Sequence, residues 1–122
     1  MLKGKSKAKQ KLTSPKKLLV YKAGNYCPLN FNEIAFIHQI NGINWLTTFS
    51  GEQHILDGSL SFTEYFLSGN QFFKINRSQI VNKESIQSFN MGSFGKIKLQ
   101  LINDINTTVS KGRVKAFRLW FY

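Results

Sequence analysis

The chain contains a single cysteine, Cys27, so no disulfide can form within it. That excludes the disulfide-stapled secreted class and fits a cytoplasmic protein. Histidine is also scarce. His38 and His54 are the only side chains that ordinarily titrate near neutral pH. Each stands in a strand-like segment without an obvious carboxylate neighbour in sequence, which favours a structural or surface role. Cys27 has no nearby histidine and is followed by Pro28, so it reads as a buried strand cysteine rather than a nucleophile. Acids number only six and are scattered singly, which offers no metal cluster. Neither a G-x-x-x-x-G-K nor a G-x-G-x-x-G loop is present. No apolar run approaches the roughly 18–20 residues that span a bilayer. "LLVY" is too short for the apolar core of a signal peptide. The expectation is a protein that is not an enzyme, with no catalytic residue, metal ligand, cofactor, small-molecule substrate or membrane segment.

Positive charge is abundant. Lys and Arg number 17 in 122 residues, and the formal net charge is +11. Residues 1–17 hold seven lysines and no acid, which gives +7; residues 18–122 hold ten cations and six acids, which gives +4. Residues 1–16 have too few large apolar side chains to pack a core. They are expected to be a disordered basic tail or linker, a solvated segment or an arm that attracts phosphate. Hydrophobic residues make up 42% and aromatics 14% of the chain, enough for one core in one domain, residues 17–122.

Past the tail, short strands and turns dominate. "LLVY" (18–21) and "YCPLNF" (26–31) read as strands, the second at an edge because Pro28 cannot donate to a ladder. Ile34, Phe36, His38 and Ile40 alternate, and so do Ile43, Trp45, Thr47 and Phe49. Asn41-Gly42 between them is a strong hairpin signal. "QHIL" (53–56) adds a third strand. The period then changes. Phe62, Tyr65 and Phe66 fall at helical spacing over residues 60–68, expected to dock by that aromatic face. Ser61 and Glu64 form a capping pair, with Asp57 and Ser59 as alternative caps. "SIQSFNM" (85–91), "KIKLQLI" (96–102) and "INTTV" (105–109) read as strands, with turns at "GSFG" and "ND". Ile97, Leu99 and Leu101 point inward there, and Lys96, Lys98 and Gln100 outward. A helix capped by Ser110 is expected over 111–121, its apolar side formed by Val114, Phe117 and Phe121. About nine strands and two short helices make a mostly β domain.

Three polar clusters are not explained by folding alone. The first is the hairpin tip Asn41-Gly42-Ile43-Asn44-Trp45. The turn needs Asn41 and Gly42 but not Asn44, whose amide suits a base edge. The second lies in "FFKINRSQIVN" (72–82), which opens as a strand and presents Lys74, Asn76, Arg77 and Ser78. Ser78 can cap a single helical turn that Asn82 ends in the left-handed region. Arg77 either contacts a ligand or pairs with Glu84. The third is Ser110-Lys111-Gly112-Arg113, where cations in a first helical turn oppose the macrodipole unless an anion binds there.

These residues carry a resemblance. "FFKINRSQIVNKESI", followed by two strands and "TVSKGRVKAF", resembles the LytTR DNA-binding domain, the output domain of LytR/AgrA-type bacterial response regulators of two-component systems. The match runs through Phe72, Phe73, Ile75, Arg77, Ser78, Ile80, Val81, Asn82 and Ile86, then Val109, Ser110 and Lys115. Lys74, Asn76 and Lys111 depart from the family's usual Arg, His and Arg, and the Asn103-Asp104 turn lacks its usual glycine. The resemblance implies an elongated stack of small antiparallel sheets with one internal and one C-terminal helix. It implies sequence-specific binding of double-stranded DNA by loops that enter the major groove, on repeated half-sites, in a transcription regulator. The base contacts it implies are Asn44, Arg77, and Lys111 or Arg113. Asn41, Trp45, Lys74, Asn76, Ser78, Lys96, Lys98, Ser110 and Lys115 would then hold phosphates and fix register. No receiver-like segment precedes the motif, so a stand-alone protein or a piece of a longer regulator is expected, with a receiver or sensor upstream.

Two other readings compete. A basic β domain can bind RNA or single strands, by stacking bases on exposed aromatics. A protein-interaction module would make the tail incidental.

Overall fold

The computed structural model describes residues 17–67 and 69–122. The expected basic tail, residues 1–16, lies outside the described residues, as does Ser68. The fold is mostly β. Among the described residues ten strands run in chain order: β1 (Lys17–Lys22), β2 (Asn25–Asn30), β3 (Ile34–Ile40), β4 (Ile43–Thr48), β5 (Gln53–Leu56), β6 (Phe72–Asn76), β7 (Gln79–Asn82), β8 (Ile86–Met91), β9 (Ile97–Leu101) and β10 (Ile105–Val109). Helix α1 (Leu60–Phe66) follows β5, and α2 (Val114–Phe121) closes the chain.

The strands form two antiparallel sheets. One has seven strands in the order β2-β1-β5-β4-β3-β7-β6; the other has three, β10-β9-β8. A stack is present, as expected, but one of its sheets is wide rather than small. Local sequence marks strands and turns; it does not state which strands become neighbours. β2, with Pro28, is the outermost strand and pairs only with β1, where a missing donor costs no ladder bond.

Two cores result. On one face of the wide sheet, Leu18, Val20, Ile37, Leu46 and Ile80 pack with Leu60 and Leu67 from α1 and its end. On the other face, Phe36, Ile75 and Val81 meet Ile97, Leu99, Leu101 and Val109 of the second sheet and Phe117 of α2. β3 serves both. The expectation that Ile34, Phe36, His38 and Ile40 share one face fails at a bulge between Ile34 and Phe36, which sends Ile34 to the first core and Phe36 to the second. β9 keeps strict alternation, with Ile97, Leu99 and Leu101 buried and Lys98 and Gln100 exposed.

The helices correct the sequence reading at their starts. Ser59, not Ser61, caps α1; its Oγ accepts from Phe62 N at 3.0 Å. Starting at Leu60 turns Leu60, Thr63 and Leu67 inward. Of the expected aromatic face only Phe66 packs against the core; Phe62 and Tyr65 are exposed. The segment 111–121 divides into a 3-10 turn at Lys111–Arg113 and α2 proper. Ser110 does not cap it through its side chain. Phe117 is fully buried, with Phe73 and Phe89 edge-on at 5.9 and 5.3 Å between ring centroids. Full burial of such a ring contributes about 1.5–3 kcal/mol. It fixes α2, and thus the segment leading into it, against β6.

Candidate nucleic-acid interface

Strand register brings four connections into a row at one end of the sheets. The β3–β4 hairpin closes with Ile40 opposite Ile43, and its tip residues Asn41 and Gly42 have φ of 51° and 80°. This is the primed turn that Asn-Gly favours. β7 lies beside β3, and Gln39 N donates to Ser78 O at 2.9 Å. The connection between β6 and β7, Arg77-Ser78, therefore stands next to that hairpin. On the other side of β6, Ser110 N donates to Ile75 O at 3.0 Å, which places the entry to α2 alongside. The β8–β9 turn completes the row, because the Lys111 side chain lies against Gly95.

The expected one-turn helix after Ser78 is absent. Residues 72–82 form the β6–β7 hairpin, and Arg77-Ser78 is its two-residue connection. Asn82 is extended at φ −85° and does not end a helix. Its buried amide instead donates to Ile34 O at 2.7 Å and accepts from Glu84 N at 2.9 Å. Neither Arg77 nor Ser78 has positive φ, so primed-turn geometry does not hold this tip. Asn76 does. Its Oδ1 accepts from Ser78 N at 3.0 Å, and its Nδ2 donates to Gln79 Oε1 and Thr108 O, both at 2.9 Å. An Asx bond to the residue two further on is a turn-forming device of this residue type. It spends the Asn76 amide on shape and leaves Arg77 exposed at the apex. Among the described residues Arg77 has no ion-pair partner; Glu84 lies beyond the far end of β7.

Arg77, Lys74, Ser110, Gly112 and Arg113, with Asn76 and Glu64, line one open concavity of about 440 Å³. Arg113 is tethered. Its Nε donates to Lys74 O at 3.0 Å and its guanidinium stacks 4.5 Å above the Phe73 ring. Lys111 is exposed. Lys74 is half-buried, 3.7 Å from the Glu64 carboxylate. Ser110 is anchored to Ile75 O. Lys96, Lys98 and Lys115 are exposed. Lys98 lies opposite Asn90 and Thr108, and its side chain crosses Gly92.

The first cluster differs from its expectation. Asn44 is 6% exposed. Its Oδ1 accepts from Gln39 Nε2 at 3.1 Å and its Nδ2 donates to Gly58 O at 2.9 Å. Its amide ties the hairpin to the segment before α1. Trp45 is half-buried in a cross-strand row between His38 and Ile55. Asn41 remains exposed at the tip. The polar group presented here is Gln39, exposed and next to Ser78. Sequence reasoning passed over it because it lies within an apolar strand; only the β3–β7 pairing puts it beside Arg77.

His54 has a carboxylate neighbour after all, with Nε2 3.3 Å from Glu52 Oε1. His38 rests edge-on to Phe36, and burial pushes its imidazole below the ordinary value. Cys27 is half-buried. Among the described residues no group of three His, Cys, Asp or Glu could hold a metal, and no helix is long and apolar enough to cross a membrane.

No curated protein sequence matches the chain. A solved structure does match in fold: the LytTr DNA-binding domain of a Bacillus cereus protein named as a methyl-accepting/DNA response regulator. It superposes with a TM-score of 0.78 at 19% identity and covers 87% of this chain and 96% of that one. The family model of the LytTr DNA-binding domain matches residues 24–122, most of the chain, including every connection in the basic row. The chain belongs to the LytTr DNA-binding domain family, a family of DNA-binding rather than enzymatic domains.

Proposed function

We propose that this chain reads a specific double-stranded DNA sequence for a bacterial transcription regulator, through the row of connections at the basic end of its sheets. The observation that carries the reading is Arg77. It is exposed at the apex of a connection whose shape the Asn76 amide holds, and it has no ion pair among the described residues. A rigid loop with a free guanidinium suits bidentate contact with guanine O6 and N7 in the major groove. Lys111, exposed beside Gly95, reaches a neighbouring phosphate. Arg113, held by Lys74 O and Phe73, holds a phosphate near the start of α2. Lys74, Lys96, Lys98 and Lys115 add phosphate contacts that set register. Gln39 replaces Asn44 as the amide that meets a base. Asn76, Ser78 and Ser110 position the loops. The tail adds sequence-independent attraction, and repeated half-sites would let two copies bind in tandem.

Single-strand or RNA binding by stacking draws less support. The exposed tyrosines Tyr21 and Tyr26 lie on β1 and β2, at the opposite edge of the wide sheet from β6, and the β8–β9 turn in the basic row offers one exposed ring, Phe94, rather than a face of several. Gel shifts with duplex DNA, single-stranded DNA and structured RNA at matched salt test the reading. Preference for one duplex sequence over scrambled duplex supports it; equal binding of all three nucleic acids contradicts it.

A further inference from the structure

The turn between β8 and β9 carries an unfavourable residue choice. Lys96 N donates to Ser93 O at 3.2 Å, which closes a four-residue turn. Its central residues, Phe94 and Gly95, have φ of 57° and 74°. Two consecutive positive φ values make a type I′ turn, which wants Asn, Asp or Gly first. A bulky side chain there crowds the backbone. Elsewhere the chain meets the same demand with small or amide residues: Ala23-Gly24, Asn41-Gly42 and Asn103-Asp104 all have positive φ at both positions.

Phe94 recovers little from the fold. It is 86% exposed, more than any other large apolar side chain among the described residues. Strain at a residue the core does not use is a reason to look for a ligand. The surroundings indicate which kind. Lys96 follows the turn directly, Lys98 crosses Gly92, and Lys111 lies against Gly95. Two copies meeting through this tip would bring like charges together, which opposes self-association. A polyanion is attracted instead, and Lys111 makes the patch continuous with the Arg77 and Arg113 concavity.

We propose that Phe94 is an apolar contact to bound duplex DNA. Its flanking lysines hold phosphates while the ring passes between them to the sugars and base edges, the way apolar wedges act in the minor groove. This rests on the DNA-binding reading above and adds a contact of a different physical kind, one that releases no counterion.

The experiment measures affinity, salt slope and melting temperature for Phe94→Asn and Phe94→Ala. The probe is a duplex selected from a randomised library by the wild-type chain. Phe94→Asn relaxes the turn, so its melting temperature should equal or exceed that of the wild type. Its affinity should fall roughly tenfold, the scale of one partly buried aromatic ring. The slope of log affinity against log salt should not change, because no cation is lost. Phe94→Ala should lose similar affinity. Wild-type affinity in both variants would overturn the proposal, and so would a loss matched by a drop in the folded fraction. If the wild-type chain selects no duplex, the DNA-binding reading itself fails.

Discussion

At one end of the strands stand Lys74, Arg77, Lys96, Lys111 and Arg113; at the other stand Glu33, Glu52, Glu84 and Asp104. The two ends are built alike. Each is a set of short connections held by backbone turns and amide side chains, and each has a primed turn led by asparagine, Asn41-Gly42 or Asn103-Asp104. They differ in what is left over. At the acidic end the Asn103 amide reaches Thr48 O and Phe49 O, and Ile102 N donates to Ser85 O at 2.9 Å, so the polar groups knit the two sheets together. At the basic end Asn76 does the same work, but it does so to hold up an arginine that nothing in the described fold neutralises. Turn chemistry is therefore common to both ends; the uncompensated charge at the Arg77 tip is what sets them apart.

The largest expected effect strikes both ends at once. Phe117→Ala should lower stability by about 3–5 kcal/mol, because it removes a fully buried ring shared by both sheets and α2. Chemical denaturation measures it. DNA affinity per folded molecule should stay close to wild type. Next is Asn76→Ala, which acts on the basic end alone. It should cost about 1–3 kcal/mol of stability through Thr108 O and Gln79 losing their donor. It should also blunt sequence preference although Arg77 is intact. Lys111→Ala should leave the fold untouched and weaken all duplexes evenly, with the salt slope reduced by about one unit. A loss of discrimination instead would make Lys111 a base reader. Asp104→Asn, at the acidic end, should change neither affinity nor slope measurably; an equal effect from the two ends would erase the distinction. The smallest effect concerns His38. Its folded pKa is lowered by burial, so the unfolded chain binds the proton more readily. Stability should fall slightly as pH drops below the ordinary histidine value towards the lowered one. A pH series of melts on His38→Gln should lose that component.

Much of this was legible in the sequence because it is local. Asn41-Gly42 announces its turn, β9 alternates, Pro28 marks an edge, and the Arg77 and Lys111 clusters stand out as charge that the fold does not need. What was not legible is pairing. The role of Asn44 depends on Gly58 O, fourteen residues away, and that of Asn76 on Thr108 O, thirty-two residues away. Gln39 becomes a surface group beside Arg77 only because β7 joins β3. The bulge at Ala35 and the start of α1 at Leu60 follow from which core receives each side chain, and periodicity alone does not choose between cores.

The central claim is that Arg77 is a reader rather than a structural cation, and one variant tests it most directly. Arg77→Ala is measured for melting temperature and, in the same preparation, for affinity to the selected duplex and to a scrambled one. The account predicts an unchanged melting temperature. It predicts a loss of about 1–3 kcal/mol in specific binding, with far less change on the scrambled duplex. A clear drop in melting temperature with undiminished preference per folded molecule would contradict it.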